Sequence, residues 1–259
     1  MSLNARRIFS QDGSTQRILL AIEDVTERLR IERQLLRSRA NLQHFGHIVA
    51  HDLQEPIHTV GIYTQLLARD YQGKLDANAD QFIRLIQEGV MRTQTMIQDL
   101  LAFAEAGTPQ KESWETVNVE SALKEALRNL QASILDSGAS VMYHGLPTIS
   151  YSSRSLTQVL QNLIGNAIKY RREEPSQIQV ETTRIQGEWL FSVRDNGIGF
   201  DQQHAESIFG MFRRLEGGKY PGTGIGLALC QRIVEGFGGR VWAESVRGVG
   251  STFYFTIPV

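Results

Sequence analysis

The sequence predicts an α+β chain of more than one domain: a long helical hairpin, then a mixed α/β part. Three observations predict it. Between Glu27 and Ala104, two apolar stripes recur at helical spacing around a single turn signal. From about Trp114 onward, helical and strand-like runs alternate. Several of the 23 glycines cluster in Asn196–Gly199, Gly217–Gly226 and Gly236–Gly250, the texture of loops shaped around a ligand.

The elements follow in order. The runs LNARRIF and QRILLAIEDV flank Gln11-Asp12-Gly13-Ser14, and Asp-Gly is a strong hairpin turn signal. A lone two-stranded hairpin is marginal in water. The expectation is therefore the tail of a larger sheet, the alternative being a small hairpin docked on its own helix. Ile31, Leu35, Leu42, Phe45 and Val49 then mark a bundle seam, on a helix expected over residues 27–68. Asp70-Tyr71-Gln72-Gly73 breaks that helix. A second run carries Phe82, Ile86, Thr93, Ile97, Leu100 and Ala104 and stops at Ala106-Gly107-Thr108-Pro109. Such a hairpin cannot bury both stripes alone, so a homodimeric four-helix bundle is expected. Beyond it, helices are expected over 120–135, 153–170 and 224–237, and strands over 178–183, 189–194, 240–245 and 251–257. The domain boundaries are read as 1–26, 27–110 and 111–259.

Composition narrows the partners. Lys and Arg number 27 against 28 Asp and Glu, giving a net charge of −1 and no long-range pull toward nucleic acid or anionic lipid. Cys230 is the sole cysteine, so neither an internal disulfide nor a cysteine zinc site is available. No apolar run nears the roughly 20 residues that span a bilayer, and the N-terminus lacks a signal-peptide core. A cytoplasmic segment without membrane contact is expected.

Familiar phosphate motifs fail. No GxxxxGK[ST] is present, and Gly222-Thr223-Gly224-Ile225-Gly226 breaks the dinucleotide spacing. Four other elements occur in fixed order: QNLIGNAIKY from Gln161 to Tyr170, DNGIG from Asp195 to Gly199, IFGMF with Phe209 and Phe212, and PGTGIGLALC running into a helix. Asn162, Asn166 and Lys169 lie three or four apart and share a helical face. The series resembles the four boxes of the Bergerat-fold ATP-binding domain, an α/β sandwich found in sensor histidine kinases, gyrase, heat-shock chaperones and a mismatch-repair ATPase. It covers about 115–259.

The resemblance implies roles residue by residue. Asn166 is the Mg²⁺ ligand with Asn162 assisting, and an amide oxygen suits that hard ion. Lys169 neutralises phosphate charge. Asp195 accepts the adenine amino group, and Gly197 and Gly199 admit the base without a Cβ in the way. Gly222, Gly224 and Gly226 offer N–H groups to ATP phosphates, with Thr223 expected to cap the helix that follows. Arg214 would reach the γ-phosphate, and Tyr170, Phe209, Phe212 and Leu227 complete the nucleotide-binding set.

The second signal is FGHIVAHDLQEPIHTV, residues 45–60, whose His-Asp-Leu-Gln-Glu-Pro resembles the H box of histidine kinases in its phytochrome-like variant. His51 is then the phospho-acceptor, with Asp52 orienting the imidazole or taking its proton. Pro56 should kink the helix beside it. On a helical wheel the first seam falls within about 80°, and His44, His47, His51 and His58 lie opposite, so the acceptor points outward. His47 and His51 at i, i+4 also fit a metal site, but no Glu lies between them and no third ligand is close. Glu55 stands where many of the family carry a Thr or Asn that positions water, so weak phosphatase activity is expected. The N-terminal hairpin resembles the last two strands of a PAS sensor domain. The whole resembles the transmitter core of a sensor histidine kinase. That implies ATP-dependent autophosphorylation of His51, an upstream sensor domain and transfer to a response-regulator receiver domain. The alternative is an ATP-binding signalling scaffold without phosphotransfer.

Overall fold

The computed structural model describes residues 2–9, 16–23, 30, 50, 52–106, 114–215, 220 and 222–259. The chain divides into two compact units, Met1–Ile48 and Val49–Val259. In the first, β1 (Ser2–Phe9) and β2 (Gln16–Glu23) pair antiparallel, Ser2 opposite Glu23 and Phe9 opposite Gln16. This is the hairpin expected from its two β-rich runs. Its Asp12-Gly13 turn lies outside the described residues, as do Ile31, Leu35, Leu42, Phe45 and Val49 of the first seam and His44, His47 and His51.

The second unit begins with α1, residues 52–71, whose helix continues through Pro56 to a turn at 72–74. Asp76 starts α2 (Ala77–Glu105) by accepting the Ala79 N–H at 2.8 Å, which satisfies one of the donors every helix start leaves orphaned. Asp80 reaches back to the Gly73 N–H at 3.0 Å and ties the turn down. The two helices pack with Gly61 against Val90, where a Cβ on Gly61 would lie 3.2 Å from Val90 Cγ1.

The burial on α2 fits the expectation that the hairpin alone cannot bury its apolar residues. α2 buries Ile83, Val90 and Ile97, one residue per heptad, whereas Phe82 and Ile86 of the expected seam are 62% and 45% exposed. The contact inside the hairpin needs only a narrow stripe. Other apolar residues, including Val60, Ile62, Leu66 and Leu67 of α1 and Phe82, Leu85 and Ile86 of α2, stay on the surface.

The rest of the unit layers four helices on a sheet. The strands β4 (Ser140–Tyr143), β6 (Gln177–Ile185), β7 (Glu188–Asp195), β9 (Gly250–Pro258) and β8 (Val241–Val246) lie in that spatial order. Only β4 and β6 are parallel. A separate antiparallel pair joins β3 (Glu115–Asn118) to β5 (Thr148–Tyr151). These short strands β3, β4 and β5 have no counterpart among the sequence expectations. The expected helix 120–135 is two: α3 (Val119–Asn129) and α4 (Gln131–Ser137), separated at Leu130, whose ψ of 5° leaves the helical basin. α5 (Ser153–Lys169) and α6 (Gly226–Gly236) complete the layer.

The core sits between the layers. Ala122, Leu123 and Ala126 of α3 and Leu156, Leu160, Leu163 and Ile164 of α5 pack in one cluster with Ile178, Val180, Phe191, Val193, Phe253 and Phe255 of the sheet. Phe191 and Phe255 face each other across β7 and β9, their rings stacked 4.7 Å apart. Cys230 is wholly buried, and burial pushes its thiol up to about 12, which makes it a packing residue and not a nucleophile. Among the described residues, no helix is long and apolar enough to cross a membrane.

Candidate functional site

A cavity of about 370 Å³ opens between the C-terminal half of α5, the end of β7 and the start of α6. That volume suits a small-molecule site. Asn166 and Tyr170 line it from α5, Asp195 and Gly199 from the β7 end, and Leu227 from α6. Arg213, Arg214 and Arg247 also border it, together with Asp201, which pairs with Arg247 at 3.5 Å.

Asp195 is held in place by the backbone. Its Oδ1 accepts the Gly197 N–H at 2.8 Å and the Ser251 N–H at 3.3 Å. Burial pushes its carboxyl above the usual range, and those two donors pull it part of the way back. Among the described residues, no donor takes its Oδ2. A buried carboxylate with one oxygen committed and one open is a single, directional acceptor.

The loop after Asp195 is fixed by close approach. A Cβ on Gly199 (φ 59°) would lie 2.1 Å from the Val246 carbonyl oxygen, and one on Gly197 would lie 2.6 Å from the Tyr170 carbonyl oxygen. Only glycine fits either position. Ser245 Oγ accepts the Phe200 N–H at 2.8 Å and donates to the Gly250 carbonyl at 3.0 Å. Arg172 donates to the carbonyls of Asn196 (2.8 Å) and Gly248 (3.1 Å). Arg172, Ser245, Arg247 and Ser251 are absent from the sequence-derived site. The signal that could have found the last three is the pair Gly248 and Gly250, which brackets the turn facing the Asp195 loop.

A second recess, about 750 Å³, lies between α2 and the Gly222–Gly226 loop, lined by Glu88, Arg92, Arg214, Tyr220, Gly222 and Thr223. Gly222 takes a φ of 138°, and a Cβ there would fall 2.5 Å from Lys169 Nζ, so the ammonium sits directly against this loop. Arg214 donates to the Tyr220 carbonyl, while its Nε is buried with no partner among the described residues.

Several expected site residues fall elsewhere. Thr223 does not cap α6: that helix starts at Gly226 after Ile225, with no side-chain cap. The Thr223 hydroxyl accepts the Ile225 N–H at 3.4 Å and donates to Asp99 Oδ2 of α2 at 2.5 Å, which takes it away from the helix start. Asn162 is not among the cavity's lining residues. Its Oδ1 lies 3.2 Å from where a Gly226 Cβ would be, and its side chain neighbours the buried Cys230 thiol. Phe209 is 6% exposed and belongs to the core, whereas Phe212, at a φ of 59°, is 54% exposed. Lys169 Nζ stands 4.4 Å from the Tyr170 ring centroid. His51 lies outside the described residues; next to it on α1, Asp52 and Glu55 are exposed.

The donor chemistry fits Mg²⁺ held jointly with a phosphate. Asn166 offers a neutral amide oxygen on the cavity wall, and this ion keeps several waters and takes one or two protein oxygens. Among the described residues, no cluster of three His, Cys, Asp or Glu could hold a metal by itself.

Two family models match the chain. The His Kinase A (phospho-acceptor) domain matches residues 41–109, and the histidine kinase-, DNA gyrase B- and HSP90-like ATPase matches residues 151–259. Cyanobacterial phytochrome A of Nostoc sp. is 46% identical over 241 residues, covering 93% of this chain and 31% of that protein. Phytochrome-like protein Cph1 of Synechocystis sp. is 41% identical, covering 93% of this chain and 32% of that protein. The chain thus spans about a third of the length of these relatives. Full-length ShkA in complex with AMPPNP superposes with a TM-score of 0.66 at 25% identity, over 84% of this chain and 46% of that one. Histidine kinase ThkA in complex with response regulator protein TrrA shares the fold, with a TM-score of 0.58 at 21% identity, over 99% of this chain and 74% of that one. With a phospho-acceptor domain followed by an ATPase domain, this chain belongs to the sensor histidine kinases and forms their transmitter core.

Proposed function

We propose that the chain phosphorylates its own His51 from ATP and passes the phosphoryl group to an aspartate of a response-regulator receiver domain. The observation that carries this reading is a pair of recesses that share Arg214: one holds the directional acceptor Asp195, and the other borders the Gly222–Gly226 loop, against which Lys169 is set. Adenine donates its amino hydrogen to Asp195, and the phosphates run toward Lys169, Arg214 and the N-terminus of α6. Asn166 would hold Mg²⁺, and the ion would neutralise charge on the phosphate oxygens. The AMPPNP bound by ShkA supports a nucleoside triphosphate as the ligand.

A ring nitrogen of His51 attacks the γ-phosphorus in line; an N–P bond forms as the bond to the β-phosphate oxygen breaks and ADP leaves. The imidazole proton passes to Asp52 or solvent. In the second step a receiver carboxylate attacks the same phosphorus, the N–P bond breaks, and His51 recovers its proton. The kinase–regulator complex of ThkA supports that partner. The exposed apolar residues of α1 and α2 support a homodimer, and the β1–β2 hairpin is read as the tail of a PAS-type sensor domain in a cytoplasmic segment.

Incubation with γ-labelled ATP and Mg²⁺ tests the reading. Acid-labile, base-stable label is expected, and its absence favours a scaffold without phosphotransfer. Asn166→Asp keeps the side chain's size but puts a negative charge beside the phosphates. It should cut labelling at limiting Mg·ATP about tenfold or more, since one such repulsion at an effective dielectric of about 20 reaches several kcal/mol before screening. Unchanged labelling would remove Asn166 from the metal site.

Glu55 yields a separate expectation. A carboxylate facing an aspartyl phosphate is repelled, so the protein with ADP should barely speed decay of its phosphorylated receiver. Strong acceleration that survives Glu55→Ala but vanishes in Gln54→Ala would transfer the water contact to Gln54.

A further inference from the structure

The contact between α2 and the Gly222–Gly226 loop has no role in phosphotransfer, yet it is specific. Asp99 Oδ2 receives the Thr223 hydroxyl hydrogen at 2.5 Å, across 124 positions of sequence. Nine residues after Thr223, Arg232 of α6 donates to the Ala106 carbonyl just past the end of α2, at 2.9 Å, and its guanidinium lies 4.5 Å from the Phe103 ring centroid. Phe103, Ala102 and Ala106 are partly buried against the domain core. Arg154 of α5 also pairs with Glu105 of α2 at 3.7 Å, and alongside these contacts runs the open recess of about 750 Å³. The docking is narrow, which suits a reversible interface.

What Asp99 touches decides what it can do. It is a carboxylate seated on the loop assigned to phosphate, with Lys169 lowering the cost of its charge from the other side. Thr223 has a single hydroxyl hydrogen. It cannot serve Asp99 and a phosphate oxygen at once, and a phosphate arriving within a few ångströms of Asp99 repels it. Burial already raises the Asp99 carboxyl, so its ionised form is held there only by these partners.

We propose that Asp99 stands in for a nucleotide phosphate: seated on Thr223, it docks the nucleotide-binding domain on α2 until the phosphates of ATP displace it. Nucleotide binding and release from α2 are then a single exchange of anions. This rests on the reading of Gly222–Gly226 as the phosphate loop.

Calorimetric titration of the intact protein with Mg·ATP and with adenosine tests it. Asp99→Ala should bind ATP about fivefold tighter, the equivalent of one net hydrogen bond of about 1 kcal/mol, with adenosine unchanged. Phe103→Ala alters no charge and lies outside the site, but it loosens the docked state, so it too should tighten ATP. Tightening by Asp99→Ala alone would mean simple removal of a nearby charge and would overturn the exchange. So would unchanged or weaker ATP binding in both variants, or equal tightening of adenosine. Failure of the parent protein to bind ATP at all would instead sink the phosphate-loop reading, and this proposal with it.

Discussion

His51→Gln is expected to reduce autophosphorylation to background while leaving the dissociation constant for Mg·ATP unchanged. The imidazole supplies a nitrogen lone pair at neutral pH, whereas the glutamine amide nitrogen is delocalised and does not attack phosphorus. No rearrangement of neighbouring groups restores that nucleophile, so the loss should be complete and not graded. Binding should survive because every residue bordering the nucleotide cavity lies between Asn166 and Phe253, in the other domain. The substitution is also structurally mild, since glutamine is a good helix former and His51 is expected on the outward face of its helix. Phosphoamino-acid mapping and a binding titration on the same preparation check both halves. Label that persists on His44, His47 or His58 would move the acceptor, and lost ATP binding would mean His51 is structural.

How much of this was legible beforehand depends on the distance over which each feature is encoded. Helices α2, α5 and α6 carry long periodic stripes and local turn signals, and their ends fall within a few residues of expectation, as does the C-terminal end of α1. Strands β3, β4 and β5 are four residues each, and β3 buries only Val117. Two periods of alternation are too short to stand out from loop. Periodicity marks the apolar residues of α2 but does not say which of them its own hairpin buries: Ile97 is buried, whereas Phe82 and Ile86 are exposed.

The site divides the same way. Asn166, Asp195, Gly199 and Leu227 belong to local motifs, and the cavity brings them together. Thr223 also sits in a motif, but its partner is Asp99, and nothing within either stretch names the other. Arg172 and Ser245 act by holding loops from strands and turns remote in sequence. Such residues become visible only when the register of β7, β8 and β9 is known.

Asp195→Asn is the second large effect expected, and it should separate stability from binding. The variant's amide oxygen can still accept the Gly197 and Ser251 N–H groups, so the loop keeps its anchor. Burial raises the native carboxyl above its ordinary value of 3.8, so the charged form is a net cost to the fold. The sign follows from linkage: the folded state binds the proton more tightly than the unfolded one, so stability falls as pH rises through that window. Above it the whole cost is present. The neutral variant escapes it and should melt no lower than the parent at pH 7. Binding moves the other way. On the proposed reading the open oxygen accepts the adenine amino hydrogen; in the variant it becomes an NH₂, and two donors would face each other in a buried site. Loss of a hydrogen bond to a charged group, about 1.5–3 kcal/mol, corresponds to roughly tenfold to a hundredfold weaker ATP. A guanine presents a carbonyl oxygen at that position, so GTP should lose less and the preference for ATP should narrow. In the parent, ATP affinity should also fall on acidification earlier than an ordinary carboxylate would dictate, because only ionised Asp195 is a pure acceptor. Melting curves and competitive titration of both nucleotides between pH 5 and 8 provide the check. ATP binding equal to the parent, or a variant that unfolds, would remove Asp195 from the adenine contact.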